Sequence, residues 1–276
     1  MGVGRAIGTG FMAARDFLAR GLVAMGIKPN TLTLAGFVFT AAAGALLARG
    51  AGDRLSGTCL WGEFLTHANP GYIGLSSWNL WAAVMMVLCG ATDMLDGAVA
   101  RIGHSASTFG AFLDSTLDRF SDFVIFAGIA FFYAWHANVT YTLLAVLCIS
   151  NSFNISYTRA RAETLIPRCR VGYWQRGERH AAVLISLFAF NVPAMLWQQA
   201  ISPAFTVWRR IFYTWQVTRG KTPVEDPRQG NWFDKICPWH WPRMTWPYDV
   251  VTGLNIAFLI FAPIPQTDVI RHWLGL

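Results

Sequence analysis

Five stretches of this chain run for the length of a membrane crossing or more without an Asp, Glu, Lys or Arg: 29–48, 64–92, 123–158, 180–208 and 250–267. A helix needs about 20 mostly apolar residues to cross the hydrocarbon core of a bilayer, so these runs dictate membrane helices. The composition agrees, with 54% of residues hydrophobic and only 13% charged, unlike a soluble domain. The run 123–158 is long enough for two crossings, with His136-Ala137-Asn138 as the turn. The expected fold is a single-domain, all-α integral membrane protein with six transmembrane helices, at 31–49, 78–97, 112–135, 139–158, 181–200 and 248–265. Residues 3–25 alternate small apolar residues with Arg5, Arg15, Asp16 and Arg20. That pattern predicts an N-terminal amphipathic helix, within 1–27, lying on the membrane surface rather than a removable signal peptide.

The formal charge of +7 is spread around membrane helices, which favours anionic lipid headgroups or a phosphorylated substrate over nucleic acid. Placing the basic N-terminal segment and the arginine-rich stretch 159–179 on the cytoplasmic side puts both termini there too. One segment conflicts: six crossings place 201–247 outside, although it holds Arg209, Arg210, Arg219, Lys221, Arg228, Lys235 and Arg243. Within this long loop, 203–217 reads as a surface helix; 51–77 is a second long loop. The cysteines at 59, 89, 148, 169 and 237 have neither CxxC nor His spacing and read as packing residues, while many of the 13 Trp suit interfacial anchoring.

Against this apolar background, 93–118 carries four aspartates. Asp93, Asp96 and Gly97 lie at i, i+3 and i+4 on one helix face, and Gly110, Asp114 and Asp118 repeat the device at i, i+4 and i+8. If these two helices pack side by side, four carboxylates converge at one end of a bundle, where they require cations between them. Oxygen-only ligands suit hard divalent ions, Mg²⁺ first and Mn²⁺ second, and such ions without imidazole or thiolate ligands point to phosphate chemistry. Arg101 in the same motif can add a donor fork to a phosphate. The competing reading makes these aspartates helix caps and surface partners of Arg101 and Arg119.

The string Asp93-x2-Asp96-Gly97-x2-Ala100-Arg101-x8-Gly110-x3-Asp114-x3-Asp118 resembles the signature of the CDP-alcohol phosphotransferases at every fixed position. The resemblance covers roughly 28–200 and 248–265. It implies that Asp93, Asp96, Asp114 and Asp118 bind metal, two Mg²⁺ or Mn²⁺ ions, with Asp118 also the general base. It implies contacts of Gly97, Arg101 and Ser107 with a CDP-linked lipid, either CDP-diacylglycerol or an ether analogue. It implies attack on the β-phosphorus with release of CMP, a homodimer, and a site on the cytoplasmic face of a prokaryotic cell membrane. Lys28-Pro-Asn-Thr-Leu-Thr33 resembles the family's Pro-Asn-x-x-Thr stretch, making Asn30 and Thr33 candidate nucleotide contacts; Asn30 reads equally as a helix cap.

The acceptor must be chosen elsewhere. Residues 157–180 place Arg159, Arg176 and Arg179 on the aspartate side, a cluster suited to a phosphorylated alcohol, although positive-inside bias alone also explains it. The stretch resembles the pattern of phosphatidylinositol phosphate synthases and their archaeal relatives, departing at Arg159 and Gln175. Glu163 and Glu178 read as partners of the arginines, and Asp122 as structural. The expected activity is therefore phosphatidyl transfer to inositol phosphate, with glycerol 3-phosphate as the rival acceptor. A divalent-cation transporter is the alternative from another class, opposed by the arginines, which would repel cations along a path.

Overall fold

A computed structural model describes residues 3–51, 77–221, 241, 243, 245–264 and 266–275. These form helices α1 (Val3–Ala24), α2 (Pro29–Gly50), α3 (Ser77–Ile102), α4 (Thr108–Trp135), α5 (Val139–Ala162), α6 (Arg176–Phe188), α7 (Val192–Thr218), α8 (Trp246–Phe261) and α9 (Val269–Leu274), with no strand among the described residues. By length and composition, three are long and apolar enough to cross a membrane: Pro29–Gly50, Trp78–Ile102 and Val139–Ala162. The expected loop 51–77 falls almost entirely outside the described residues.

Helix boundaries follow local chemistry. Pro29 opens α2, where its missing N–H costs nothing. Ser107 caps α4 by accepting from the Gly110 amide at 3.0 Å, and Asn138 caps α5 through the Tyr141 amide at 3.1 Å. Residues 136–138 make the expected turn between α4 and α5, with Ala137 at positive φ.

Lipid tails are as apolar as leucine, so burying Leu47 or Ile129 between helices gains little by itself; close backbone approach and interhelical hydrogen bonds must hold a membrane bundle. Both devices are present. α3 and α4 pack mainly on α2, which lies between them. On one side Gly36 faces Thr92 and Gly50 faces Trp78; on the other Gly44 meets Gly128 so closely that a Cβ on Gly128 would lie 2.1 Å from the Gly44 carbonyl oxygen. α1 packs on α3 through Ala19, Leu22 and Val23 against Ala98, Val99 and Ile102. Phe131, Trp135, Leu147, Phe205 and Trp208 face outward.

The expected crossing at 181–200 is two helices. Phe190 sits at positive φ, Asn191 caps α7 by accepting from the Ala194 amide, and Pro193 occupies its first turn, so the chain reverses at 189–191. Residues 201–218, expected as part of an outside loop, instead continue α7. Pro203 lies inside that helix, and proline there deprives the carbonyl four residues back of its donor. The Asn151 amide makes up the loss, donating to Gln199 and Ala200 carbonyls at 3.0 and 2.7 Å. Pairings of 148 with 196 and 151 with 199 show α7 running parallel to α5 and back to the aspartate end.

α8 runs in the opposite sense. Its first turn meets Glu178 through Tyr248, and at its far end Leu259 and Ala262 carbonyls accept from Asn191. The segment that follows straps the far end of the bundle: Asp268 accepts from the Val139 and Thr140 amides and the Thr140 hydroxyl. The C-terminal helix α9 therefore lies at the far end of the bundle, opposite the end where the last turns of α1 meet α3.

Gly128→Ala should overpack the α2–α4 crossing and cost about 1–3 kcal/mol or more, read as a lower midpoint of thermal unfolding in detergent. Gly90→Ala, with nothing within 4 Å of the new methyl, should leave the midpoint unchanged or raise it.

Candidate active site

Asp93 on α3 and Asp114 and Asp118 on α4 each turn a carboxylate oxygen to one point, the three atoms lying within 4.8 Å of one another. The helical spacings bring this about: Asp114 and Asp118 are one turn apart, and α2 holds α4 at the distance where they meet Asp93. Arg176, the first residue of α6, reaches in from the side, donating to Asp93 at 3.1 Å and pairing with Asp118 at 2.7 Å. Asp96, 8% exposed, stands outside the trio and accepts from the Thr33 hydroxyl at 2.8 Å. All four aspartates, with Thr33 and Arg176, line one small pocket between α2, α3 and α4.

The donor set fits a hard divalent cation. It is all oxygen, and opposite ligands of an octahedral Mg²⁺ stand about 4.2 Å apart, within the separation observed. Asp114 Oδ1 is buried without a hydrogen-bond partner, a costly state that a cation would relieve.

The expected nucleotide residues gather beside the trio. Asp93, Gly97 and Arg101 succeed one another on one face of α3, with Arg101 exposed on the last turn. Asn30 does not cap α2, whose N-cap is Lys28. Asn30 Oδ1 instead points at Gly110, where a Cβ would lie 3.2 Å from it and 3.0 Å from Ser107 Oγ. Glycine at 110 is therefore what lets the starts of α2 and α4 meet, bringing Asn30, Ser107 and Gly110 together.

Next to Asp118 opens a cavity of about 330 Å³ lined by all three expected acceptor arginines, Arg159, Arg176 and Arg179, together with Arg119, Glu163, Gln175 and Arg210. Arg159 donates to Glu163 at 3.1 Å. Although desolvation would raise it, that bond and the Cys169 amide hold the Glu163 carboxyl below the usual range. Arg179 is 5% exposed and bound to Asp122 at 2.7 Å and Ser152 at 3.3 Å, so Asp122 has the structural role expected of it. The Nε atoms of Arg176 and Arg179 are buried without partners. Glu178 was expected to hold these arginines; it pairs instead with Arg243.

Arg210, missed by sequence reasoning, is 1% exposed and donates to the carbonyls of Val171, at 3.2 Å, and Ile155. It also donates to the Gln175 side chain at 3.2 Å. Its signal was present in the basic pair 209–210, which six crossings had placed on the far side. Cys89, Cys148 and Cys169 are buried and free, as packing residues would be; Cys59 and Cys237 lie outside the described residues.

Removing one member of a buried ion pair leaves an uncompensated charge at about 3–5 kcal/mol, whereas removing both is often near neutral. Arg179→Met should accordingly lower thermal stability in detergent by that amount, and adding Asp122→Asn should restore most of it.

With the site in view, comparison with known proteins is specific. Residues 26–216 match the CDP-alcohol phosphatidyltransferase family. The chain is 33% identical over 186 residues to the phosphatidylinositol phosphate synthase of Mycobacterium tuberculosis, covering 67% of this chain and 74% of that one. It is 38% identical over 140 residues to the archaetidylinositol phosphate synthase of Methanothermobacter thermautotrophicus, covering 49% and 69%. Among solved structures it resembles the M. tuberculosis phosphatidylinositol phosphate synthase with CDP-DAG bound, at TM-score 0.58 and 26% identity over 73% of this chain and 93% of that one. It also resembles the same enzyme in complex with manganese and citrate, at TM-score 0.57 and 27% identity, over 73% and 88%. The motif, the carboxylate cluster and a match running from the start of α2 almost to the end of α7 all agree: this chain is an integral membrane transferase of the CDP-alcohol phosphatidyltransferase family.

Proposed function

We propose that the chain transfers a diacyl- or dialkylglycerol phosphate group from a CDP-linked lipid to a hydroxyl of inositol phosphate, releasing CMP. The observation that carries the reading is the arginine-lined cavity of about 330 Å³ opening onto Asp118. A phosphorylated acceptor seated there has its charge met by guanidinium groups and a hydroxyl within reach of a carboxylate. The relatives' names support inositol phosphate within that class.

In this scheme Arg101 and the Asn30–Ser107–Gly110 corner take the CDP moiety, Gly97 leaves room beside it, and Thr33 orients Asp96. Arg159, Arg176 and Arg179 hold the acceptor's phosphate, Arg179 from within its pair with Asp122. Asp118 removes the acceptor hydroxyl's proton as that oxygen bonds to the β-phosphorus and the bond to CMP breaks. A divalent ion held by Asp93, Asp114 and Asp118, with Asp96 nearby for a second, supplies charge neutralisation of the diphosphate; Mg²⁺ is the first choice and Mn²⁺ the second. The aspartate end faces the cytoplasm of a prokaryotic cell, the bundle that includes the long apolar helices α2, α3 and α5 is embedded in the membrane, α1 lies at its surface, and the enzyme works as a homodimer.

CMP release by the purified protein with CDP-diacylglycerol should require inositol phosphate. Faster turnover with glycerol 3-phosphate would move the acceptor to that rival, and equal turnover with unphosphorylated inositol would overturn the phosphate pocket. Asp118→Asn should lower kcat by about 10²–10⁴ with CDP-lipid binding retained. Chelation should abolish CMP release and added Mg²⁺ restore it; metal flux into liposomes without nucleotide would instead favour a transporter.

A further inference from the structure

The family match ends at residue 216, yet the chain beyond it returns to the acceptor cavity. Glu178 sits on the first turn of α6 between Arg176 and Arg179, both of which line that cavity. Two groups from beyond the match converge on its carboxylate. The Tyr248 hydroxyl, on the first turn of α8, donates to Oε1 at 2.6 Å, and the Arg243 guanidinium lies 2.8 Å from Oε2. The Glu178 side chain is only 11% exposed whereas Arg243 is 59% exposed, so the Tyr248 bond is the one partly shielded from the competition with water that makes surface pairs weak, and Arg243 adds a solvated partner.

The same helix holds the strap that leads into α6. The Tyr173 hydroxyl hydrogen-bonds the Thr252 hydroxyl at 3.0 Å, and the Tyr173 and Tyr248 rings stand 5.2 Å apart. Tyr173 and Trp174 are buried, and Thr206 of α7 accepts from the Trp174 amide. The first turn of α6 is thus fixed by α8 from outside the cavity and by Asp93, Asp118 and Asp122 from inside it. A guanidinium recognises a phosphate only when its planar fork is correctly aimed, and the backbone turn that aims Arg176 and Arg179 is the one α8 grips.

We infer that Tyr248 and Arg243 are positioning residues for the acceptor: through Glu178 they fix the α6 turn that presents Arg176 and Arg179 to the acceptor's phosphate. This rests on the proposed use of a phosphorylated acceptor. α8 is then an added brace on a family core, packed on α6 and α7, whereas Arg101, Asn30 and Ser107, the groups proposed for the CDP moiety, belong to α3, α2 and the start of α4.

The test uses the full-length protein in detergent with CDP-diacylglycerol and inositol 1-phosphate. Tyr248→Phe should raise KM for inositol 1-phosphate about tenfold while KM for CDP-diacylglycerol stays at the wild-type value. Tyr248→Phe combined with Glu178→Ala should be no worse than Glu178→Ala alone, because the hydroxyl acts through that carboxylate. Hydrogen exchange of backbone amides at 175–181 should rise in Tyr248→Phe, with exchange in α5 unchanged. Equal effects on both KM values, additive mutants, or unchanged exchange at 175–181 would each overturn the inference. If the wild-type protein turns over no phosphorylated alcohol, the functional reading falls, and the exchange measurement still decides whether Tyr248 holds the turn.

Discussion

Three carboxylate oxygens within 4.8 Å of one another set the terms for this structure. At an effective dielectric of about 20, each pair of full charges at that distance repels by at least about 3.5 kcal/mol, more than any exposed salt bridge returns. Arg176 meets two of the three carboxylates, Asp93 and Asp118. It leaves Asp114 Oδ1 buried and without a partner, which is why the cluster reads as a cation site and not as a completed structural network. The glycine contacts of α2 serve the same end, because they hold α3 and α4 at a separation where the aspartates meet across a gap instead of the helices closing on each other.

The need to bring Arg176 to that point shapes the second half of the chain. α6 has to begin at the carboxylates and run away from them, so a helix starting there cannot also supply the cavity's outer wall. The reversal at 189–191 solves this by sending α7 back alongside α5, where Arg210 reaches the carbonyls of Val171 and Ile155. Polar side chains do the joining where apolar burial against lipid gains little. Asn151 covers the Gln199 carbonyl freed by Pro203, Asn191 ties the α6–α7 turn to the end of α8, and Asp268 caps α5 from the C-terminal segment.

These features explain what the sequence discloses and what it conceals. The aspartate combs are legible because their spacing repeats the helix period and their cost near a membrane demands an explanation. The helices up to 158 are legible because charge or a turn such as 136–138 bounds them. The reversal at 189–191 is concealed because all of 180–208 is uncharged, so the run measures as one crossing. The signal there is local, Asn191 two residues before Pro193, a cap and a first-turn proline inside an apolar run. The partner of Asp96 and the role of Glu178 are concealed for another reason. Thr33 lies 63 residues from Asp96 and Tyr248 lies 70 from Glu178, so only packing brings them together.

The charge distribution follows once the reversal is placed. With a single helix at 181–200, Arg209, Arg210, Arg219 and Lys221 fall on the side away from the aspartates, against the tendency of short basic loops to remain inside. With α6 and α7 as separate helices, those residues return to the aspartate end, and Arg243 at the start of α8 joins them. The conflict arose from one missed turn, not from an exception to the charge rule. The same correction obliges α8 to leave from the aspartate end, and that is how a segment beyond the family match comes to lie against the helix turn that carries Arg176 and Arg179.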